Sequence, residues 1–424
     1  MKNKNTYKIT LISIGDELVI GQTVNTNASF IAERLTEIGS EVLAHSVIRD
    51  ERKEITSEID RLSKISDLII VTGGLGPTAD DITKQVLADY FGDKLELNRE
   101  IYNLLEARYL ARGFKHVSKS LEWQCTLPTQ CKLFPNNVGA APAMMFSGDN
   151  YKLISMPGVP SEMKSILSNS VFDFISDEMK EKKSDVMIYR SIRTTNIPES
   201  SLAELIGDVS TMGENVSLAY LPSYQGVKLR IGTVSNNNET GNLILDKAQN
   251  ILEKKISEFI AGDGDKDLVE IIANILTKKK LTLAVAESCT SGMLGANLTE
   301  VSGASNWFLG GAMSYSNDVK INLLGVKEST LNEFGAVSEQ CAIEMAKGVR
   351  EKLNSNIGIS ITGIAGSTGG SDEKPVGTIW IGFSDKTRSF ARHFLFGSER
   401  DFNRKRSVGM ALMILYKQLK YKNN

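Results

Sequence analysis

Two groups of residues in this chain have types and spacings that suit chemistry. The first begins at Ala286-Glu287-Ser288-Cys289-Thr290-Ser291-Gly292, where an apolar strand gives way to a helix start, and continues at Gly310-Gly311-Ala312-Met313-Ser314-Tyr315-Ser316-Asn317-Asp318-Val319-Lys320. A nucleophile at such a turn faces the positive end of the helix dipole, and the first free N–H groups can hold an oxyanion or a phosphate. Lysine can act as general base for serine without any histidine, provided burial lowers its pKa towards neutrality. Tyr315 lies across a strand-to-helix join from Lys320, so both can reach one pocket. Each residue also has a plainer reading: Cys289 as buried packing, Ser288 or Thr290 as a helix cap, and Lys320 as an exposed helix lysine.

The second group is Gly73-Gly74-Leu75-Gly76-Pro77-Thr78-Ala79-Asp80-Asp81-Ile82-Thr83. Glycines after a strand let backbone N–H groups approach a phosphate. Asp80 and Asp81 beside such a loop suit a hard cation bridging carboxylate and phosphate oxygens. Against this, Thr78 can simply cap the next helix with Asp81 as its reciprocal partner. A second acidic pair, Asp16 and Glu17, follows the first strand and favours the metal-phosphate reading. A third cluster, Thr362-Gly363-Ile364-Ala365-Gly366-Ser367-Thr368-Gly369-Gly370, is suited to a ligand's phosphate or to a mobile turn.

Positioning these groups requires α/β architecture. Strands at Lys8 to Ile14, Glu41 to Val47 and Asp67 to Val71 alternate with helical patterns at Ala28 to Ile38 and Arg52 to Ser63, which predicts a doubly wound parallel sheet binding ligands at the strands' carboxyl ends. From Val186 a smaller α+β pattern runs to Glu258, and Ala261-Gly262-Asp263-Gly264-Asp265-Lys266-Asp267 reads as a linker. A third α/β unit follows from Leu268, ending in a helix whose Val408, Ala411, Leu412, Leu415 and Leu419 make one apolar face. The expected domains are 1–172, 173–260 and 261–424.

Composition narrows the function classes. In 424 residues, 49 basic and 51 acidic side chains leave a net charge of −2, which supplies no bulk field for nucleic acid or an anionic membrane. Any anion must be held by local geometry. Four cysteines without a Cys-x-x-Cys pair fit neither a disulfide framework nor a zinc site, so a reducing cytoplasm is the expected location. No apolar run is long enough to span a bilayer, and Met1 to Tyr7 lacks a signal-type apolar core. The three histidines, His45, His116 and His393, are too scattered for a histidine-centred site.

The first region resembles the molybdopterin-binding fold of CinA-type proteins through Gly15-Asp16-Glu17-Leu18, Gly21, Asn25-Thr26-Asn27, Thr72 to Thr83, Gln124, Pro128, Asn137 and Met156-Pro157-Gly158-Val159-Pro160-Ser161-Glu162-Met163. The resemblance implies metal-dependent hydrolysis of ADP-ribose to AMP and ribose 5-phosphate. Glu17, Asn27, Gly73, Gly74, Gly76, Thr78 and Asn137 would bind the nucleotide, and Asp80 and Asp81 the metal, Mg²⁺ or a similar divalent ion with K⁺ as a further candidate. Where that family usually reads Gly-Thr-Ala-Pro-Gly, this chain has Gly139-Ala140-Ala141-Pro142-Ala143, losing a hydroxyl and a flexible glycine.

The last region resembles the CinA C-terminal domain of PncC-type nicotinamide mononucleotide deamidases, through the two segments above, the Gly-rich loop, Gly335-Ala336-Val337-Ser338 and Lys374-Pro375-Val376-Gly377-Thr378. That resemblance implies Ser288, Tyr315 and Lys320 as catalytic, with Thr290, Gly292, Gly311, Thr362, Gly363, Gly366, Arg400 and Arg404 on the substrate and no cofactor. Ser291 stands where the family has glycine, a change tolerated unless the position needs a positive φ. The middle region resembles the family's KH-like insert but has no Gly-x-x-Gly loop, so it reads as a spacer or dimer contact. The expected protein is a homodimeric bifunctional hydrolase of pyridine-nucleotide salvage, without nucleic-acid or membrane partners. Alternatives are an N-terminal domain that binds molybdopterin or nucleotide without turnover, and a competence- or DNA-damage-associated interaction protein.

Overall fold

Leu68–Thr72 is buried along its whole length, which a strand manages only inside a sheet covered on both faces. The computed structural model describes residues 5–78, 80–111, 113 and 120–420; Ala79 and His116 lie outside them. The chain divides into two compact units, Met1–Tyr189 with Gly232–Asp246, and Arg190–Ile231 with Lys247–Asn424.

In the first unit a six-stranded sheet runs in the order Glu41–Ile48, Lys8–Ile14, Leu68–Thr72, Lys152–Met156, Ala143–Ser147, Lys132–Phe134. The first four are parallel and the last two antiparallel additions. Successive side chains of a strand point to opposite faces, and the central strand shows it: Leu68 and Ile70 join one apolar cluster with Ile31, Leu35 and Ile166, while Ile69 and Val71 join another with Ile55, Ile59 and Val86. Two helical layers are therefore pinned to one sheet. The chain leaves Lys8–Ile14 towards one edge and returns to its other side at Leu68–Thr72, which makes a topological switch point at their carboxyl ends.

Within the second unit a five-stranded sheet runs Phe308–Met313, Leu283–Glu287, Ile357–Gly363, Thr378–Ser384, Ser389–Leu395, parallel across the first three and antiparallel thereafter. Leu283 and Val285 pack with the helices Leu268–Lys279 and Arg400–Lys420, whereas Ala284 and Ala286 pack with Glu339–Lys352. The apolar face read for the last helix is buried in that first cluster. Strand Leu283–Glu287 is sandwiched in this way, so Ser288 emerges at the carboxyl edge of an immobile element.

The segment read as a linker is not free chain. Ile260–Asp263 pairs antiparallel with Val186–Thr194 as an edge of a four-stranded sheet, and the buried Arg193 binds the carbonyls of Gly264 and Lys266 and the carboxylate of Asp267 at 2.9 Å. Glycine and charge were correct markers of a turn, but backbone pairing and one arginine order it. Arg193→Ala is expected to lower stability by about 1–3 kcal/mol, because it strands buried acceptors; a urea midpoint equal to that of the parent protein would contradict this account.

Candidate functional site

The switch point of the first unit opens a cavity of about 680 Å³. Gly73 and Gly74 turn the chain at φ +107° and +65°, and a Cβ there would strike the Ile14 carbonyl and the Thr83 hydroxyl respectively, so only glycine fits. The Gly73 N–H is already given to the Met156 carbonyl at 3.2 Å. The amides that remain for an anion are those of Gly74, Leu75 and Gly76, which donate to no other group among the described residues. Asn27 donates to the Gly158 carbonyl at 2.6 Å, while its Oδ1 is buried without a partner.

Glu17, Asn27, Gly73, Gly74, Gly76, Asp80 and Asp81 all line this cavity, but Thr78 and Asn137 do not. Thr78 gives its N–H (2.9 Å) and its hydroxyl to Asp81, but it does not cap the next helix, which begins only at Thr83 behind Ile82. The structural asparagine is the buried neighbour, Asn136, which accepts from the N–H groups of Val138 and Gly139 and donates to Glu162, while Asn137 is exposed. Ala143 is the first residue of strand Ala143–Ser147 and fully buried, so a glycine's freedom is not needed there.

Asp50 is among the lining residues that the sequence reading did not name. Asp50 follows strand Glu41–Ile48 on the same edge as the two glycine turns, and its carboxyl is pushed up to about 6, first by burial and then by the negative charges of Asp81, Asp16, Glu17 and Asp80. Its place just beyond a parallel strand was the available signal. Among the described residues no three His, Cys, Asp or Glu side chains converge as a ready metal cage. Mg²⁺ usually keeps several waters and takes one or two carboxylates together with substrate phosphates. The crowded carboxylates fit such an ion arriving with its ligand, not a resident structural metal.

In the second unit Ser288 leaves its strand with its N–H on the Ile361 carbonyl at 2.9 Å and is only 8% exposed. Lys320, far from being a surface lysine, is 1% exposed on helix Asn317–Leu324, and its Nζ lies 3.4 Å from Ser288 Oγ, 2.8 Å from the Ser314 carbonyl and 3.2 Å from the Tyr315 carbonyl. Burial lowers its pKa below the ordinary lysine value. Tyr315 thus meets Lys320 through its backbone; its phenol is 66% exposed and makes no hydrogen bond to Ser288 or Lys320.

The helix start is also organised differently from the expectation. Glu287, 2% exposed, accepts the N–H groups of Gly292 (3.1 Å), Leu294 (3.1 Å) and Gly295 (2.8 Å). A carboxylate therefore occupies the helix N-terminus, where an anion was expected. Gly292 is spent in this way, and of the amides after Ser288 those of Cys289 and Thr290 donate to no other residue among the described residues. Ser291 sits at φ +49° and so does occupy the left-handed region, at a cost of about 1–2 kcal/mol relative to ordinary backbone.

Arg400, Asn403 and Arg404 share one face of helix Arg400–Lys420, and the sequence reading missed the asparagine between the two arginines. Arg404 holds the Thr290 carbonyl at 3.1 Å, Arg400 the Gly366 carbonyl at 2.7 Å, and Asn403 the carbonyls of Ala365 and Gly397. Thr290 Oγ1, Asn403 Oδ1 and Arg404 Nε are buried with no partner, leaving polar capacity beside Ser288. Thr362 is buried with its hydroxyl on the Ala336 carbonyl, Gly363 ends its strand, and Gly311 lies on Phe308–Met313 opposite Val285. These three shape the sheet edge and offer no free side-chain polar group.

The fold and sites define a multidomain α/β protein with a glycine-loop cavity in one unit and a serine–lysine pair in the other. Family models match consecutive segments: a probable molybdopterin binding domain at residues 10–177, a damage-inducible protein CinA KH domain at 189–262 and a CinA C-terminal domain at 265–419. A CinA-like protein of Salinibacter ruber is 39% identical across 96% of this chain and 98% of its own, and a putative competence-damage inducible protein of Clostridium botulinum is 38% identical across 97% and 100%. The chain belongs to the CinA family. Among solved structures, a competence/damage inducible protein of Agrobacterium tumefaciens is 37% identical, covering 36% of this chain and 93% of its own with a TM-score of 0.35; CinA of Thermoplasma acidophilum is 32% identical, covering 40% and 99% with a TM-score of 0.37. No helix among the described residues is long and apolar enough to cross a membrane.

Cys289 is 5% exposed and burial pushes its thiol up to about 12, which leaves almost no thiolate at neutral pH. Iodoacetamide at pH 7 is expected to leave Cys289 unlabelled in the folded protein while labelling it after denaturation. Mass spectrometry of the tryptic peptide reads the outcome, and rapid labelling of the native protein would restore the thiol as a candidate nucleophile.

Proposed function

We propose that the C-terminal unit hydrolyses the carboxamide of nicotinamide mononucleotide, giving nicotinic acid mononucleotide and ammonia. The observation that carries this reading is a buried lysine, Lys320, 3.4 Å from Ser288 at a strand-to-helix turn. Neutral Lys320 takes the Ser288 hydroxyl proton as Oγ adds to the carboxamide carbon. The amides of Cys289 and Thr290, which donate to no other residue among the described residues, are the donors available to the developing oxyanion. When the C–N bond breaks, Lys320 returns the proton to the leaving nitrogen, and water then cleaves the ester to release the acid. Arg404 and Arg400 are the cations available for the substrate's phosphate, held near the site by the carbonyls of Thr290 and Gly366.

The N-terminal unit is proposed to hydrolyse ADP-ribose to AMP and ribose 5-phosphate. Asp80 and Asp81 would hold a divalent ion with substrate phosphates, and that ion would supply charge neutralisation at the pyrophosphate. Asn27 and the amides of Gly74 to Gly76 orient the phosphates, and Asp50, its carboxyl pushed up to about 6, can hold or release a proton. A second reading, a cavity that binds nucleotide without turnover, is favoured by Ala140, which lacks the hydroxyl of the threonine in the pattern this region resembles.

Ammonia release from nicotinamide mononucleotide is expected to fall at least about a hundredfold in Ser288→Ala and in Lys320→Ala, as general acid–base and nucleophilic roles imply. Lys320 must be unprotonated to act, so the rate should decline as pH falls through a pKa below the ordinary lysine value. A parent protein that releases no ammonia, or a rate indifferent to both substitutions, defeats the amidase reading. For the other unit, AMP formation from ADP-ribose should require added Mg²⁺ and fall strongly in Asp80→Asn/Asp81→Asn; tight ADP-ribose binding with no AMP in the parent protein would select the binding module instead.

A further inference from the structure

Helix Arg400–Lys420 carries Gly409 in its interior, although glycine is the least favourable helix residue after proline. The packing shows what the glycine permits. Gly409 is buried, and a Cβ there would strike the carbonyl of Tyr224, at the turn between strands Ser217–Ser223 and Gly226–Ser235 of the KH-like region. Turn and helix belong to the same compact unit. The next residue of the turn, Gln225, is buried, and its Oε1 accepts the N–H of Leu268 at 3.2 Å. Helix Leu268–Lys279 has no side-chain cap from Asp267, so a glutamine of the KH-like region supplies an acceptor at its first turn.

Tyr416 and Lys420 continue the Gly409 face of the long helix. The Tyr416 hydroxyl lies 3.3 and 3.2 Å from the carbonyls of Ile260 and Ala261, and Lys420 donates to the Ile260 carbonyl at 2.9 Å. The KH-like region therefore touches both of the long helices packed on one face of the five-stranded sheet. The first turns of Arg400–Lys420 carry Arg400 and Arg404, bound to the carbonyls of Gly366 and Thr290. A helix is stiff, so a shift at Gly409 is carried to Arg404, little more than one turn away. Lys320 stands in the other layer, where its helix packs through Leu324 against Glu339–Lys352.

We propose that the Tyr224-Gln225 turn is a positioning element of the C-terminal site: it sets where helix Arg400–Lys420 lies and, through that helix, where Arg400 and Arg404 meet an anionic substrate. The proposal rests on the reading of these arginines as the cations for a mononucleotide's phosphate, and adds that their placement is governed from the KH-like region. The region read from the sequence as a spacer or dimer contact becomes part of the site's scaffold. Substrate affinity and the serine–lysine pair then depend on different layers of the unit, and the turn acts on the first alone.

Ammonia release from nicotinamide mononucleotide and calorimetric titration of nicotinic acid mononucleotide, both on the full chain and its Gly409→Ala, Gln225→Ala and Gln225→Glu variants, separate the outcomes. Gly409→Ala and Gln225→Ala should raise KM and the Kd of the product by roughly fivefold, the scale of coupling through a packed element, and leave kcat and its pH midpoint at the parent values. Gln225→Glu, whose carboxylate can accept the same N–H at a helix start, should retain the parent KM. A lower kcat with KM and Kd unchanged would show only a loss of folded protein and overturn the proposal, as would parent values in Gly409→Ala and Gln225→Ala alike. Should Gly409→Ala not fold, Gln225→Ala decides by the same readings. A parent protein that binds the mononucleotide without releasing ammonia would defeat the amidase reading, and the titration alone would then decide the role of the turn; one that binds none would remove both.

Discussion

Burying an ammonium group costs several kcal/mol unless it is paired or neutral, and in the C-terminal unit no carboxylate pairs with Lys320 among the described residues. Its partners are two carbonyls and a serine hydroxyl. Burial therefore shifts Lys320 towards the uncharged amine, which is the form that can take a proton. Strand Leu283–Glu287, helix Asn317–Leu324 and the carbonyls of Ser314 and Tyr315 are what hold Lys320 against Ser288. The tyrosine next to the lysine contributes geometry to this arrangement through its backbone, with its phenol facing outward.

Glu287 gives the same unit its second constraint. A buried carboxylate taking three amides neutralises the helix start and fixes the turn that presents Ser288. An anionic group finds this helix N-terminus already taken. Arg400 and Arg404 remain, in the first turns of a helix anchored further along in the core by Val408, Leu412 and Leu415. In the N-terminal unit charges of like sign are gathered instead of separated: burial first, and then the charges of Asp81, Asp16, Glu17 and Asp80, push the Asp50 carboxyl towards neutrality.

Some of this was legible in the chain as written. Strands Lys8–Ile14, Glu41–Ile48 and Leu68–Thr72 and their intervening helices follow from hydrophobic period alone, and the glycine run after Leu68–Thr72 from what glycine permits. The Ser288 turn was marked by a buried strand ending in small polar residues. Asn136, by contrast, could not be separated from Asn137 by type, since only burial distinguishes adjacent asparagines. Arg108 and Tyr109, which line the N-terminal cavity, gave no signal, because a half-buried helix face looks the same whether it covers a core or a cavity.

Local order and the identity of the reactive groups were decided by the sequence, because periodicity and backbone permissiveness act over a few residues. Which groups meet was decided by tertiary structure. Ser288 and Lys320 are neighbours only because a parallel sheet sets Leu283–Glu287 beside Phe308–Met313 and so brings the following helix over the turn. Asp50 joins Asp81 only because two crossovers return to the same sheet edge. Desolvation and like-charge crowding are sums over residues distant in the chain, so the protonation states on which both sites depend exist only in the folded protein.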